Sequence, residues 1–138
     1  MGERAPEAGT MEGPIMPIST LTEAISHYGR EAFLITVAKD GPHTSHVTIE
    51  LRGSSIACAL GASAAANIAR EPNVSLFWPP MERGGYALIV NGTATGERRP
   101  AGVTMGEITL TKSVLHRPGP RPDDSDGPCA NDCRRLAR

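Results

Sequence analysis

Four histidines and three cysteines are the side chains of this 138-residue chain best suited to proton transfer, metal binding or redox work. They are His27, His43, His46 and His116, with Cys58, Cys129 and Cys133. An imidazole is most often a surface or structural group, and each histidine is read that way first. His43 and His46 stand three apart in a stretch of alternating polarity, so on a strand they face opposite sides and make poor co-ligands for one metal. His46 shares its polar face with Thr44 and Thr48 and is the one candidate acid or base, if a ligand covers that face. No catalytic residue is assigned beyond it, and no metal site. Cys58 alternates into an apolar run and reads as a small buried hydrophobe. Cys129-Ala130-Asn131-Asp132-Cys133 falls within zinc-ligand spacing, but two thiolates need His116, Asp132 or a second subunit to complete a site. The pair reads equally as two unrelated cysteines or as a reversible thiol pair or weak metal clip, with Arg134 and Arg135 favouring the thiolate of Cys133. There is no Gly-x-Ser-x-Gly elbow and no Gly-rich phosphate loop of the Walker or dinucleotide type.

Residues 60 to 76, LGASAAANIAREPNVSL, are the most informative run. A strand ends in Gly61 and a helix starts with the hydroxyl of Ser63 in its first turn. Unpaired backbone N–H groups and the helix dipole make such a junction an anion site, while its plainer reading is a capped connecting helix. Trp78, the sole tryptophan, sits beside Pro79-Pro80 and reads as a core plug or dimer contact. Arg98-Arg99-Pro100 reads as a solvated turn.

The elements that would position these groups follow from periodicity. Thr20-Leu21-Thr22-Glu23 is a capping box. Leu21, Ala24, Ile25 and Tyr28 continue at helical spacing, and Gly29 stops the helix. Phe33–Ala38, Thr44–Leu51, Ser55–Leu60, Val74–Trp78, Tyr86–Thr95 and Gly106–Leu115 read as six short strands, and Ser63–Arg70 as a small helix. Ser45, Val47, Ile49 and Leu51 share one face of the second strand, and Thr44, His46, Thr48 and Glu50 the other. Asn91-Gly92 marks a bulge or a turn. The expected fold is mainly β with a few short helices: a six-stranded antiparallel barrel, which removes sheet edges, or else an open two-layer sandwich.

Composition sets further bounds. Lys plus Arg is 14 and Asp plus Glu 15, for a net charge of -1, so no bulk electrostatic case exists for nucleic acid or an anionic membrane. Residues 1–17 carry four charges and no apolar core of a secretory signal, and Ile56–Ala69 is too short to span a bilayer; a cytoplasmic protein is the expectation. Residues 1–17 read as a flexible leader, 18–116 as the folded unit, and 117–138 as a Pro-rich tail with the Cys pair, extended or mobile and dispensable for folding. Aromatics are only 4%, so a domain this small calls for extra burial, and a homodimer through Val74–Phe77 and Leu88–Val90 is expected.

The order strand, turn, strand, then Ser63, Asn67-Ile68, Arg70, Pro72, Val74-Ser75-Leu76 and Val90-Asn91-Gly92-Thr93-Ala94, resembles the pyridoxamine 5'-phosphate oxidase-like superfamily. Phe77-Trp78-Pro79-Pro80, Gly84-Gly85-Tyr86, Val114-Leu115-His116-Arg117-Pro118 and the Cys-x-x-Asp-Cys tail resemble a small actinobacterial-type subgroup of it. The resemblance implies the FMN-binding split β-barrel and a flavin (FMN) or deazaflavin-dependent oxidoreductase acting on a small molecule. A non-enzymatic cofactor- or small-ligand-binding protein, with no cofactor of its own, is the alternative. It implies a cofactor across a homodimer interface, with Ser45, His46, Val47, Gly61, Ala62, Ser63, Asn67 and Trp78 as cofactor-binding positions. Relatives often carry Lys after the serine; here it is Ala64, and no Arg or Lys occurs between Gly53 and Ala69. A phosphate would rest on backbone N–H groups, Ser63, His46 and Arg52 or Arg70. The basic residues that bind pyridoxal phosphate in the true oxidase have no match, so vitamin B6 oxidation is not expected.

Overall fold

Alternating apolar side chains need a closed surface to bury against, and this chain supplies one by curling a single sheet onto itself. The computed structural model describes residues 18–119 and 131–137. In chain order the elements are α1 (Leu21–Tyr28), β1 (Glu31–Ala38), β2 (Gly41–Arg52), β3 (Ser55–Leu60), α2 (Ala62–Arg70), β4 (Asn73–Trp78), β5 (Ala87–Arg98), β6 (Thr104–Arg117) and β7 (Asp132–Arg135). Neighbouring strands run in the order β3-β2-β1-β4-β5-β6-β7, and β3 also pairs with β6. That last pairing closes β1 to β6 into an antiparallel barrel and decides against the open sandwich.

The capping box forms as the sequence requires. Thr20 Oγ1 accepts from the Glu23 N–H at 3.2 Å, and Glu23 Oε1 accepts from the Thr20 N–H at 3.1 Å. Gly29, at φ 95°, ends α1 in a conformation that disfavours any side chain. Leu34, Ile49, Ile56, Leu76, Leu88 and Val90 are wholly buried and fill the barrel from its strands.

Asn91-Gly92 proves to mark a bulge. Asn91 pairs with Lys112 and Gly92 with Leu110, so Thr111 of β6 is the extra residue. The insertion flips the inward phase of β6. Ile108 and Leu110 point in before it, and Ser113 and Leu115 after it. Gly92 is required at the crossing, since a Cβ there would stand 2.4 Å from the Thr109 carbonyl oxygen.

The helices close the two ends. At one end Trp78, 1% exposed, donates its indole N–H to the Gly29 carbonyl at 2.9 Å behind α1. At the other, α2 packs across β1 and β5. Asn67 Nδ2 donates to Thr36 Oγ1 at 3.0 Å, and the Arg70 guanidinium donates to the Val37 carbonyl.

The expectation that the chain past Arg117 packs nothing needs correction. β7 pairs antiparallel with β6 from Arg117↔Asp132 to Val114↔Arg135. Leu136 is 6% exposed in the main core, and Ala137 bonds Ser19 and Leu21 beside α1. Backbone pairing to the open side of β6, rather than a run of apolar residues, seats this segment. Cys129 and the leader, residues 1–17, lie outside the described residues.

Candidate functional site

The outward surface of the barrel is divided. Outward residues of the later half of β5 are Thr93, Thr95 and Glu97, and those of early β6 are Glu107, Thr109 and Thr111, all exposed and polar. The outward face of β1, β4 and the neighbouring halves of β5 and β6 instead carries a band of apolar side chains among polar ones. Phe33 pairs with Phe77, Phe77 with Ile89, and Ile89 with Val114, which places four apolar side chains in one row across four strands. His46 extends the row from β2 opposite Phe33, with ring centroids 5.7 Å apart. The next row is Thr44, Ile35, Ser75, Asn91 and Lys112, in which Ser75 Oγ and Asn91 Oδ1 lie 2.9 Å apart. Val37 stands beyond it, 44% exposed, and Phe33 is 36% exposed. An apolar shelf with a polar second row suits a flat, amphipathic ligand or a second protein surface.

The expected cofactor positions fall in three places. His46 lies outward on this face, its Nε2 3.2 Å from Glu31 Oε1. Ser45, Asn67, Gly61, Ala62 and Ser63 gather at the α2 end of the barrel. Val47 and Trp78 point into the core, 6% and 1% exposed, and their side chains do not reach a surface. Trp78 thus follows the plug reading.

At the α2 end the buried polar groups are incompletely paired. Thr36, wholly buried, accepts from Asn67 and stands opposite His43 in the β1–β2 register. His43 Nδ1 and Ser45 Oγ are both buried atoms without a hydrogen-bond partner. Such atoms cost about 1–3 kcal/mol each when left unmet, so they favour any polar group that reaches them. The start of α2 is open as well. Gly61 occupies the N-cap with no side-chain bond to the first turn, and Gly61, Ala62 and Ser63 are exposed. Basic side chains are spoken for elsewhere: Arg70 by the Val37 carbonyl and Arg52 by Glu50 at 2.9 Å. An anion at α2 would therefore be held by backbone N–H groups and the Ser63 hydroxyl.

Two concavities lie away from these positions. A groove of about 460 Å³ runs between Ala65, Ile68 and Ala69 of α2 and Ala94, Gly96 and Thr104 of the barrel. A smaller one of about 110 Å³ is lined by Arg52, Glu97, Arg99 and Glu107. The smaller one touches Arg52, a candidate phosphate contact, and neither reaches Ser45, His46, Val47, Gly61, Ala62, Ser63, Asn67 or Trp78. Among the described residues no group of three or more His, Cys, Asp and Glu is placed to hold a metal ion. Cys58, 2% exposed, has its thiol pushed up to about 11 by burial, which leaves it inert as a nucleophile.

The row from Phe33 to Val114 had only a partial signal in the sequence. FLITVA is apolar at every position but Thr36, as a strand covered on both faces would be, whereas alternation marks a strand covered on one.

The architecture matches solved structures over most of their length. General stress protein 26 from Bacillus anthracis str. Sterne superposes with a TM-score of 0.58 at 18% identity, covering 69% of this chain and 92% of that one. A protein from Clostridium acetobutylicum related to general stress protein 26, of the pyridoxinephosphate oxidase family, gives 0.58 at 11% identity over 70% and 85%. The fold is the split β-barrel of the pyridoxamine 5'-phosphate oxidase-like proteins. An F420 reductase shares this split barrel, with a TM-score of 0.51 at 15% identity over 60% of this chain and 87% of that one. No protein-family model and no curated protein matches the chain. No helix among the described residues is long and apolar enough to cross a membrane.

Proposed function

We propose that this split barrel works as a homodimer that binds a flavin, FMN or a deazaflavin relative, against its outward apolar face and uses it to oxidise or reduce a small molecule. The observation that carries the reading is the Phe33–Phe77–Ile89–Val114 row, set on one half of a barrel whose other half is polar. A second copy laid on that face would bury the row and leave a flat, water-poor slot at its polar margin. The open start of α2 and the unmet Ser45 and His43 atoms supply hydrogen-bonding groups at the same end of the barrel as the second row. A bound flavin would supply the electron or hydride chemistry. The chain's own part is to orient the ring on apolar side chains, exclude water and, at His46 Nε2, hold a proton beside Glu31. The split-barrel F420 reductase is in keeping with a deazaflavin as the cofactor.

A second reading, a ligand-binding protein without catalysis, is favoured by the lack of any Arg or Lys between Gly53 and Ala69. The two separate on one experiment: the visible absorption of protein purified from its own host, with the released ligand identified by mass. A flavin or deazaflavin chromophore is expected. Colourless protein that also fails to bind added FMN and deazaflavin would overturn the first reading in favour of the second.

A further inference from the structure

The groove between α2 and the barrel has an apolar body and one charged end. It exists because β5 and β6 put little on the face turned toward the helix. Gly96 and Gly106 stand opposite each other in the register, between Ala94↔Ile108 and Arg98↔Thr104. Leu60 Cδ1 would stand 2.9 Å from a Cβ on Gly106 and 3.6 Å from one on Gly96, so this leucine makes the floor that the strands do not supply. Ala65, Ile68 and Ala69 form the helix wall, on one face at helical spacing. The Ala94 N–H donates to the Pro72 carbonyl at 2.9 Å, which ties the chain leaving α2 to β5 at the apolar end. Arg98 and Thr104 line the other end. Glu97 alternates away and pairs with Arg99 at 3.6 Å, and among the described residues no carboxylate pairs with Arg98.

We propose that this groove binds an unbranched aliphatic carboxylate, with its chain along Ala65, Ile68 and Ala94 and its head group on Arg98. Four residue steps from Ala94 to Arg98 span about 13 Å of strand, a length that suits a medium-chain acid. The groove's volume of about 460 Å³ falls within the range of about 300–1,000 Å³ typical of small-molecule sites. A protein partner fits less well: nine residues line the groove, against about 20–30 a side in a stable interface. A carboxylate would meet the guanidinium through charge-assisted hydrogen bonds, and the Thr104 hydroxyl is a further donor at the same end. The assignment is independent of flavin binding, since no lining residue is an expected cofactor position.

Octanoate and octylamine, titrated into the full-length protein by calorimetry, test it. Octanoate should bind at one site, and octylamine, with the same chain and the opposite charge, at least about tenfold more weakly. Arg98→Gln, at an exposed position, should weaken octanoate about tenfold or more, because hydrogen bonds to a charged group are lost. Ala69→Phe fills the groove from an exposed position of α2 and should abolish binding. The proposal is overturned if octanoate shows no saturable binding at millimolar concentration, if the two ligands bind alike, or if Arg98→Gln changes nothing. Octanoate still held by Ala69→Phe would sit elsewhere, on the outer apolar row, and overturns it too. So does altered sedimentation of ligand-free Ala69→Phe, which would show that a second copy covers the groove.

Discussion

The Tyr86 hydroxyl donates to Asp132 Oδ2 at 2.5 Å, tying the residue that leads into β5 to the first residue of β7. Arg117 completes the clasp, donating to the same oxygen at 2.5 Å with its guanidinium 4.4 Å above the Tyr86 ring. Tyr28 holds the other side, its hydroxyl donating to the Tyr86 carbonyl at 2.6 Å. Burial pushes the Asp132 carboxyl up. The hydrogen bonds from Tyr86 and Arg117 and the charges of Arg117 and Arg134 together outweigh it and hold the group below the ordinary carboxylate range.

A depressed carboxyl stabilises the fold fully above its unfolded pKa of about 3.9, and that contribution is lost as pH falls through the lower folded value. Urea unfolding should therefore show wild-type stability falling below about pH 4. Asp132→Asn should cost about 1–3 kcal/mol at pH 7 and flatten the fall. An unchanged acid limb in the variant would show that the clasp is not what titrates.

Ending the chain after Pro118 removes β7 and Leu136 together. Burying one leucine is worth about 1.5–3 kcal/mol, and each kcal/mol moves the Tm of a domain this size by about 4–8 °C. The shortened protein should melt about 6–24 °C lower by these figures. A melting point within a degree or two of wild type would restore the reading of this segment as a dispensable tail.

Gly92→Ala is the sharpest probe of the bulge. Its Cβ would meet the Thr109 carbonyl at 2.4 Å and Ile108 Cγ2 at 2.7 Å, and backbone cannot swing aside as a side chain does. A cost of about 2–3 kcal/mol is expected. Gly61→Ala, with nothing within 4 Å of the added carbon, is the control and should lose only the N-cap preference, about 1 kcal/mol or less. Similar losses in both would mean that chain entropy, not the close crossing, sets the effect.

The two helices and six barrel strands were legible because each carries a local signal: a capping box before Leu21, alternation from Thr44 to Leu51, glycine or proline at each end. Three features were not. β7 has a single apolar side chain beyond it, Leu136, and depends on the open side of β6, which no local pattern reveals. The phase of β6 inverts at Thr111, so one alternation rule cannot assign both of its halves. Trp78 and Val47 share segments with the expected site, yet the pleat turns them inward; spacing along the chain located the segments but not the face.

Dimerisation through the apolar row has a direct test. Phe77→Glu would put a charge at the centre of the row, and Thr109→Glu puts the same charge on the polar half of the barrel. Sedimentation should show a dimer for wild type and Thr109→Glu and a monomer for Phe77→Glu. A wild-type monomer at micromolar concentration would remove both the dimer and any flavin slot shared across it.

The start of α2 can be tested by charge. With Arg70 and Arg52 engaged elsewhere, a flavin phosphate placed there meets only backbone N–H groups and the Ser63 hydroxyl. FMN should then bind no more than about tenfold tighter than riboflavin, since a helix start contributes about 0.3–1 kcal/mol to an exposed anion. Ser63→Asp sets a carboxylate beside that phosphate. Two like charges about 4 Å apart repel by about 1 kcal/mol in water and about 4 near a protein surface, so FMN should weaken about tenfold or more. Riboflavin has no phosphate and should change little. Fluorescence titration of both ligands against both proteins decides it, because steric damage from the aspartate would weaken the two alike, and a phosphate bound elsewhere would leave both unaffected.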